Sequence, residues 1–449
     1  MTASMSKDWN PQLEQKRLQD AAQKLLEQAK KLGADQMDLS AGSSQGLSVT
    51  VRHGEPEVLE FEKDRSLGLT VWVNGCKGSA STSDVSDGAI QSCLQAALDI
   101  AKHTQADPFS GLPDPDQLAQ QLPDLSLDHD WPLDSQQAME LAGQCEAAAL
   151  SDSRIVNSEG GDLSTRRSVR VHANSQGLMA LTQGSQHSLS AVVLAQDSQG
   201  MQRDYAYDSR RNPEQLMDPA QIGHEAARRT LARLDARPIQ TGHYPVVFDP
   251  RMSQGLVGTL AGALNGNAIW RQSSWLLDAM GQAILPSWAS LEERPQLSGA
   301  NGSSAIDSDG VATRQQAFVQ EGVIESWILD VYAARRLKQA STGNGGGARN
   351  LWLPGGQGSQ TDLLSEMGTG LLITEMMGQG VNAVTGDYSR GAAGFWVEGG
   401  QIQHPVQGIT LAFNLKDLWP TLARVAGDYD DRGRILASSM LFPRVSVAA

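Results

Sequence analysis

Glycine is concentrated in one part of this chain. Residues 343–408 hold 17 glycines in 66 positions, against 45 in all 449. Each glycine adds to the conformational freedom lost on folding, so such a stretch orders only where packing or contact specifies its turns. Its centre, 382–404, reads NAVTGDYSRGAAGFWVEGGQIQH. Gly386-Asp387 permits a tight reversal ahead of an exposed Tyr388-Ser389-Arg390. A short strand is predicted over 395–398, closed by a second turn at Gly399-Gly400. The leading reading is a set of hairpin turns in an antiparallel region. A rim contacting a peptide or partner is the second, and a phosphate cradle the third. The segment 342–347 (TGNGGG) lacks the following Lys-Ser/Thr that would engage phosphate and magnesium, so it is no P-loop.

A chain of 449 residues is too long for one comfortable core, and two or three domains are expected. Hydrophobic content of 40% and a mean hydropathy of −0.33 are ordinary for a soluble protein. No apolar run reaches membrane-spanning length. The N-terminus (Lys7, Asp8, Glu14, Lys16, Arg17) lacks the apolar stretch of a signal peptide, which implies the cytoplasm. Cys76, Cys93 and Cys145 make no disulfide framework. A formal net charge of −15 excludes non-specific nucleic-acid binding, which needs a basic footprint.

Helix signals begin at Asn10-Pro11, a capping side chain followed by proline at the first helical position. Leu18, Ala22, Leu25 and Ala29 then recur at helical spacing up to Gly33. Leu47, Val49 and Val51, and then Leu67, Leu69 and Val71, alternate as strands, the second ending in the turn Asn74-Gly75. A helix is predicted over 87–103, a proline- and aspartate-rich connector over 107–133, and a helix from Asp134 with Gln137 as reciprocal cap. Strands over 169–207 and a helix from Asp218-Pro219 repeat the same order. The fold class is therefore α+β. The first unit, 1–106, and the second, 134–238, pack helices on antiparallel or mixed sheet. Residues 239–449 form a largely antiparallel β domain with short helices. Within it a strand is expected over 243–248, a helix of small residues over 253–264, strands over 306–311, 318–321 and 323–329, a helix over 363–376 and a final strand over 436–447.

Chemistry is scarce. His224-Glu225 lies in a predicted helix, but a helical zinc site needs a second imidazole four residues on, where Arg228 stands. An ion pair of Glu225 with Arg229 on a solvated face accounts for the pair. The remaining histidines are scattered, and neither a CxxC pair nor a GxSxG elbow is present.

NAVTGDYSRGAAGFWVEGGQIQHPV (382–406) with GITLAFNLKDL (408–418), SAIDSDGVATR (304–314) and KGSASTSD (77–84) resemble the signature of the TldD/PmbA family, on its PmbA/TldE side. The resemblance covers essentially the whole chain. It implies an α+β N-terminal part, a β-rich C-terminal part and work as half of a TldD–TldE heterodimer enclosing a peptide-cleaving chamber. In that family the TldD half holds zinc or a similar divalent metal with an HExxxH helix and a later cysteine. The family's tasks are leader-peptide removal and degradation of small unfolded proteins. Here the corresponding helix is GLVGTLAGALNG (255–266), so Gly258 and Ala263 stand in the histidine slots, Thr259 in the glutamate slot and Ser438 near the cysteine. None is an imidazole or thiolate.

The expectation is a non-catalytic subunit without a metal of its own, partnered by a TldD-like catalytic chain. It acts on peptide substrates and self-associates as a homodimer when the partner is absent. Tyr388, Arg390 and Trp396 are the expected substrate or partner contacts. One alternative is a metallopeptidase active alone through ligands converging from His172, His187, His243 or His404. The other is a peptide-binding adaptor with no peptidase role.

Overall fold

The computed structural model describes residues 9–198 and 200–449; Lys7 and Asp8 of the polar N-terminus lie outside them. The N-terminal half runs α1 (Pro11–Lys31), β1 (Gln36–Arg52), β2 (Glu55–Val73), β3 (Cys76–Thr82), α2 (Asp87–Lys102), α3 (Ser135–Ala149), β4 (Ile155–Asn174), β5 (Met179–Asp197), β6 (Gly200–Arg210) and α4 (Pro219–Leu231). Local chemistry starts the helices as the sequence indicates. Asn10 accepts a bond from the Leu13 amide, Asp134 and Gln137 form a reciprocal capping box, and Asp218 accepts from the Ala220 and Gln221 amides.

The stretches 1–106 and 134–238 share one antiparallel sheet of order β3-β2-β1-β4-β5-β6. The period-two alternation places all the helices on one face. Leu39 and Val71 pack under α1 and α2, and Leu47, Val49 and Val193 under α3 and α4. Contact is close enough that a Cβ added at Gly161 would lie 2.1 Å from the Ala142 carbonyl oxygen on α3. The other face is polar, with Ser40, Ser44 and Ser48 of β1 opposite His172, Ser168 and Ser164 of β4.

The C-terminal half continues with β7 (Gly242–Phe248), α5 (Pro250–Leu264), α6 (Gly266–Trp270), β8 (Leu291–Glu293), β9 (Gln316–Gln320), β10 (Val323–Ile324), α7 (Val331–Leu337) and β11 (Leu351–Trp352). It ends with α8 (Gln360–Met367), β12 (Gly370–Met377), β13 (Asp387–Glu398), β14 (Gln401–Asn414), β15 (Arg424–Val425), β16 (Ile435–Leu436) and β17 (Met440–Ala448). Strands β14-β13-β12-β7-β17 form a sheet that closes on itself through β14–β17 pairing, and β10-β9-β8-β11-β16 form a second sheet. One large core, including Phe248, Leu260, Phe318, Trp419 and Phe442, lies between them. The architecture is α+β, with the β-rich C-terminal part carrying short helices.

Three local expectations are corrected. The helix predicted over 363–376 stops at Met367, where Gly368 turns at φ +70°, and Gly370–Met377 is a strand buried between β7 and β13. Residues 306–311 are a loop, in which the Asp307 carboxylate takes the Asp309 and Val311 amides. The strand expected over 395–398 runs the full length of β13.

The connector 107–133 crosses onto the C-terminal half. Asp107 accepts from the Tyr332 hydroxyl at 2.8 Å, Ala119 N–H donates to Gly310 O, and Gly299 N–H donates to Leu125 O. Arg335 donates to the carbonyls of Phe109, Gly111 and Leu112. On the sheet side Arg167 holds Asp128 with two bonds of 2.9 and 2.7 Å.

Candidate functional site

Helix α5, the expected counterpart of the metal-binding helix, follows β7 directly and is capped by Asp249. Its donor set does not fit a metal. The Thr259 hydroxyl donates to Leu256 O at 2.6 Å, Ala263 is buried in the main core, and a Cβ at Gly258 would lie 3.5 Å from the Ile435 side chain. Ser438 is buried, and its neighbour Ser439 is bonded through both amide and hydroxyl to Asp428. Among the described residues no three His, Cys, Asp or Glu side chains gather as a metal-binding group.

The other histidines are held apart by separate partners. His172 pairs with Asp38 at 2.8 Å, which raises its pKa against the opposing effect of burial. His187 meets Thr165 and the His129 carbonyl, and burial lowers its pKa. His243 bonds Ser446, and His404 its neighbour's carbonyl. Glu225 grips Arg228 with two 2.7 Å bonds, while Arg229, the partner expected from spacing, is 3.9 Å away.

Of the three expected contact residues, Tyr388 is not exposed as the sequence suggests. It is 3% exposed and stacked on Phe413 with ring centroids 4.5 Å apart, because β14 lays that ring over it. Trp396 is half-buried edge-on against Tyr244, its indole N–H on Glu398. Arg390 lies along β12, donating to the Met376 and Met377 carbonyls. The glycines around them serve strand packing: a Cβ at Gly394 would be 1.9 Å from the Leu372 carbonyl oxygen. With β12 on one side and β14 on the other, β13 has no free edge for a peptide.

The structure instead opens a cleft of about 750 Å³ where β6 and α4 face the start of α5, β12 and the 428–432 loop. Strand β6 is the edge of the N-terminal sheet, and side chains bond its outward carbonyls: Arg233 on Arg203 O, Arg432 on Tyr207 O and Asn301 on Ser209 O. Asp204 stands at the centre, 3.5, 3.7 and 3.9 Å from Arg229, Arg233 and Arg251. Arg233 also pairs with Glu375 on β12, bridging the two halves. Arg432 lies 4.4 Å above the Tyr207 ring and forks onto Asp430 at 2.8 and 2.6 Å. Burial pushes the Asp249 carboxyl up to about 7, opposed by the Met252 amide it accepts and by Arg229. A cleft of alternating charge with tyrosines on its floor suits a polar chain bearing side chains of either sign.

Sequence reading missed this cluster because its members come from five segments. One signal was available: Gln202, Asp204 and Asp208 alternate with Ala206 on the buried side of β6, an unusual polar row for a strand facing helices.

Fold and site together define a protein built on the PmbA/TldA metallopeptidase plan, since three domains of that description match in order. Domain 1 covers residues 37–101, the central domain 128–234 and the C-terminal domain 241–449. The chain belongs to the PmbA/TldD family. It is 44% identical over 438 residues to metalloprotease PmbA of Escherichia coli O157:H7, covering 96% of this chain and 97% of that one. It is 40% identical over 438 residues to the metalloprotease PmbA homolog of Haemophilus influenzae, covering 97% of each. Among solved structures it resembles a Bacteroides thetaiotaomicron protein named as a conjectured modulator of DNA gyrase (TM-score 0.91, 26% identity, 96% of this chain and 98% of that one). TldE from Thermococcus kodakarensis shares the fold (TM-score 0.79, 18% identity, 96% and 100% covered).

Proposed function

We propose that this chain is the non-catalytic, TldE-type subunit of a two-protein metallopeptidase. It pairs in the cytoplasm with a TldD-like chain that carries the zinc or similar divalent metal, and the complex trims leader peptides and degrades small unfolded proteins. The observation that carries this reading is the α5 donor set: Gly258, Thr259 and Ala263 offer no imidazole and no general base, and Ser438 replaces a thiolate. The names of the bacterial relatives favour a second reading, a peptidase active alone. Against it, His172, His187, His243 and His404 are each engaged locally and apart. In the proposed complex the cleft along β6, rather than Tyr388, contacts the substrate or partner.

The test is metal content and peptide cleavage of the purified chain, alone and mixed with a TldD-like partner. The expected result is neither metal nor cleavage alone and both in the mixture. Stoichiometric zinc with chelator-sensitive cleavage by this chain by itself would overturn the reading. Peptide binding with no complex and no metal dependence would make it an adaptor instead.

A further inference from the structure

A second cleft, of about 840 Å³, lies between the polar face of the N-terminal sheet, the connector and the C-terminal half. Four arginines line it, contributed by β4 (Arg170), the segment after β6 (Arg211), the segment before β11 (Arg349) and the segment before β16 (Arg434). Among the described residues none of the four has a carboxylate within ion-pair distance. Arg211 donates to the Ser185 and Asn301 carbonyls at 2.8 and 2.9 Å, and its buried Nε has no partner. Arg349, 6% exposed, donates to the Gly347 and Gly345 carbonyls at 2.9 and 2.8 Å. Arg170 and Arg434 are exposed, and their guanidinium groups make neither hydrogen bond nor ion pair.

The arrangement is repulsive as it stands. Burial first, and then the neighbouring Arg170, lowers the pKa of Arg211. Burial likewise dominates at Arg349, opposed by the nearby carboxylates of Asp307, Glu293 and Asp309, with Arg434 adding a smaller repulsion. Of the acids in the cleft wall, Asp128 is paired with Arg167, while the exposed Asp124 accepts the Ser126 amide and keeps its charge outside ion-pair distance of the four arginines. Arg211, desolvated and with no carboxylate among the groups that act on it, is unfavourable there unless an anion offsets it. In a chain of net charge −15 the cluster is no sample of a generally basic surface.

We propose that this cleft is a binding site for a compact phosphoryl-type oxyanion, with Arg170, Arg211, Arg349 and Arg434 as its cationic wall. Guanidinium forks match the paired oxygens of such a group, and carbonyl contacts already fix two of the four in place. Their convergence from four segments around one volume suits a multidentate small anion better than an extended acidic peptide, which would call for charges spaced along a groove. The site is separate from the α5 region and does not depend on the subunit reading.

The test uses the full chain, titrated calorimetrically with inorganic phosphate, pyrophosphate and ADP at constant ionic strength, beside the double variant Arg170→Ala/Arg434→Ala. Both positions are exposed and their removal lessens the repulsion on Arg211 and Arg349, so the unfolding midpoint without anion is expected not to fall. The expected result is saturable binding weakened about tenfold or more in the variant. Equal affinity for pyrophosphate and ADP would assign the free anion as ligand, and tighter binding of ADP a phosphoryl group on a larger molecule. No saturable binding beyond a chloride control, equal affinity in the variant, or binding of hexaglutamate but of none of the phosphates would each overturn the proposal.

Discussion

Along β6, Arg229, Arg233, Arg251 and Arg432 each meet a carboxylate; beside the connector, Arg170, Arg211, Arg349 and Arg434 meet none. Both clefts lie between the same two halves, and Asn301 stands between them, its amide bonded to Ser209 O on one strand and Arg432 O on the other half. The difference separates two uses of charge at a joint. Paired ions across a joint hold two surfaces in one arrangement, whereas unpaired ones store an unfavourable interaction that a ligand relieves.

The sharpest way to break the comparison is Arg432→Ala. It would leave Asp430, with a side chain 4% exposed, without its cation and the Tyr207 carbonyl without its donor. A loss of about 3–5 kcal/mol in urea unfolding is expected; a loss no larger than that of a surface substitution would mean that the joint is held elsewhere. Next in size is a pH effect. Burial keeps Asp249 protonated in the folded chain up to about 7, while the unfolded chain releases that proton near 3.8. The folded state binds more protons over this window, so stability falls as pH rises from 3.8 to about 7 and levels off above it. Asp249→Asn, which keeps a capping oxygen for the Met252 amide, should therefore be stabilised relative to the wild type at pH 8 by on the order of 2–4 kcal/mol, and not at pH 4. Parallel stability curves for the two proteins between those pH values would remove Asp249 from this role. Smallest is Arg228→Ala at the cleft mouth, where the exposed Glu225 pair is screened: melting should shift by no more than about 0.5 kcal/mol. A larger, salt-sensitive shift would show that this pair belongs to the joint.

What the sequence made legible was local. Asn10, Asp134 and Asp218 cap helices with their own side chains, and Asn74-Gly75 turns with both residues at positive φ, so each signal is complete within a few residues. The run Leu371-Leu372-Ile373 was not, because a buried strand and a buried helix look alike by periodicity and only its pairing with β7 and β13 decides. Tyr388 was misjudged for the same reason: the ring that covers it, Phe413, arrives on the next strand. Small residues on α5 could be read directly, and the family resemblance then implied their mismatch with a metal site. Neither cleft was, since Asp204 reaches Arg251 and Arg211 reaches Asn301 only after distant segments have packed.

The closed C-terminal sheet also fixes an order of events during synthesis. Strand β7 is made early in its half, yet Val247 pairs with Leu441 of β17, and Leu411 of β14 pairs with Val447. The N-terminal sheet has all six of its strands once β6 has left the ribosome. Closure of the C-terminal sheet must wait for β17, with one edge of β7 unpaired in the meantime. Such long-range pairing is slow to form and vulnerable to misassociation.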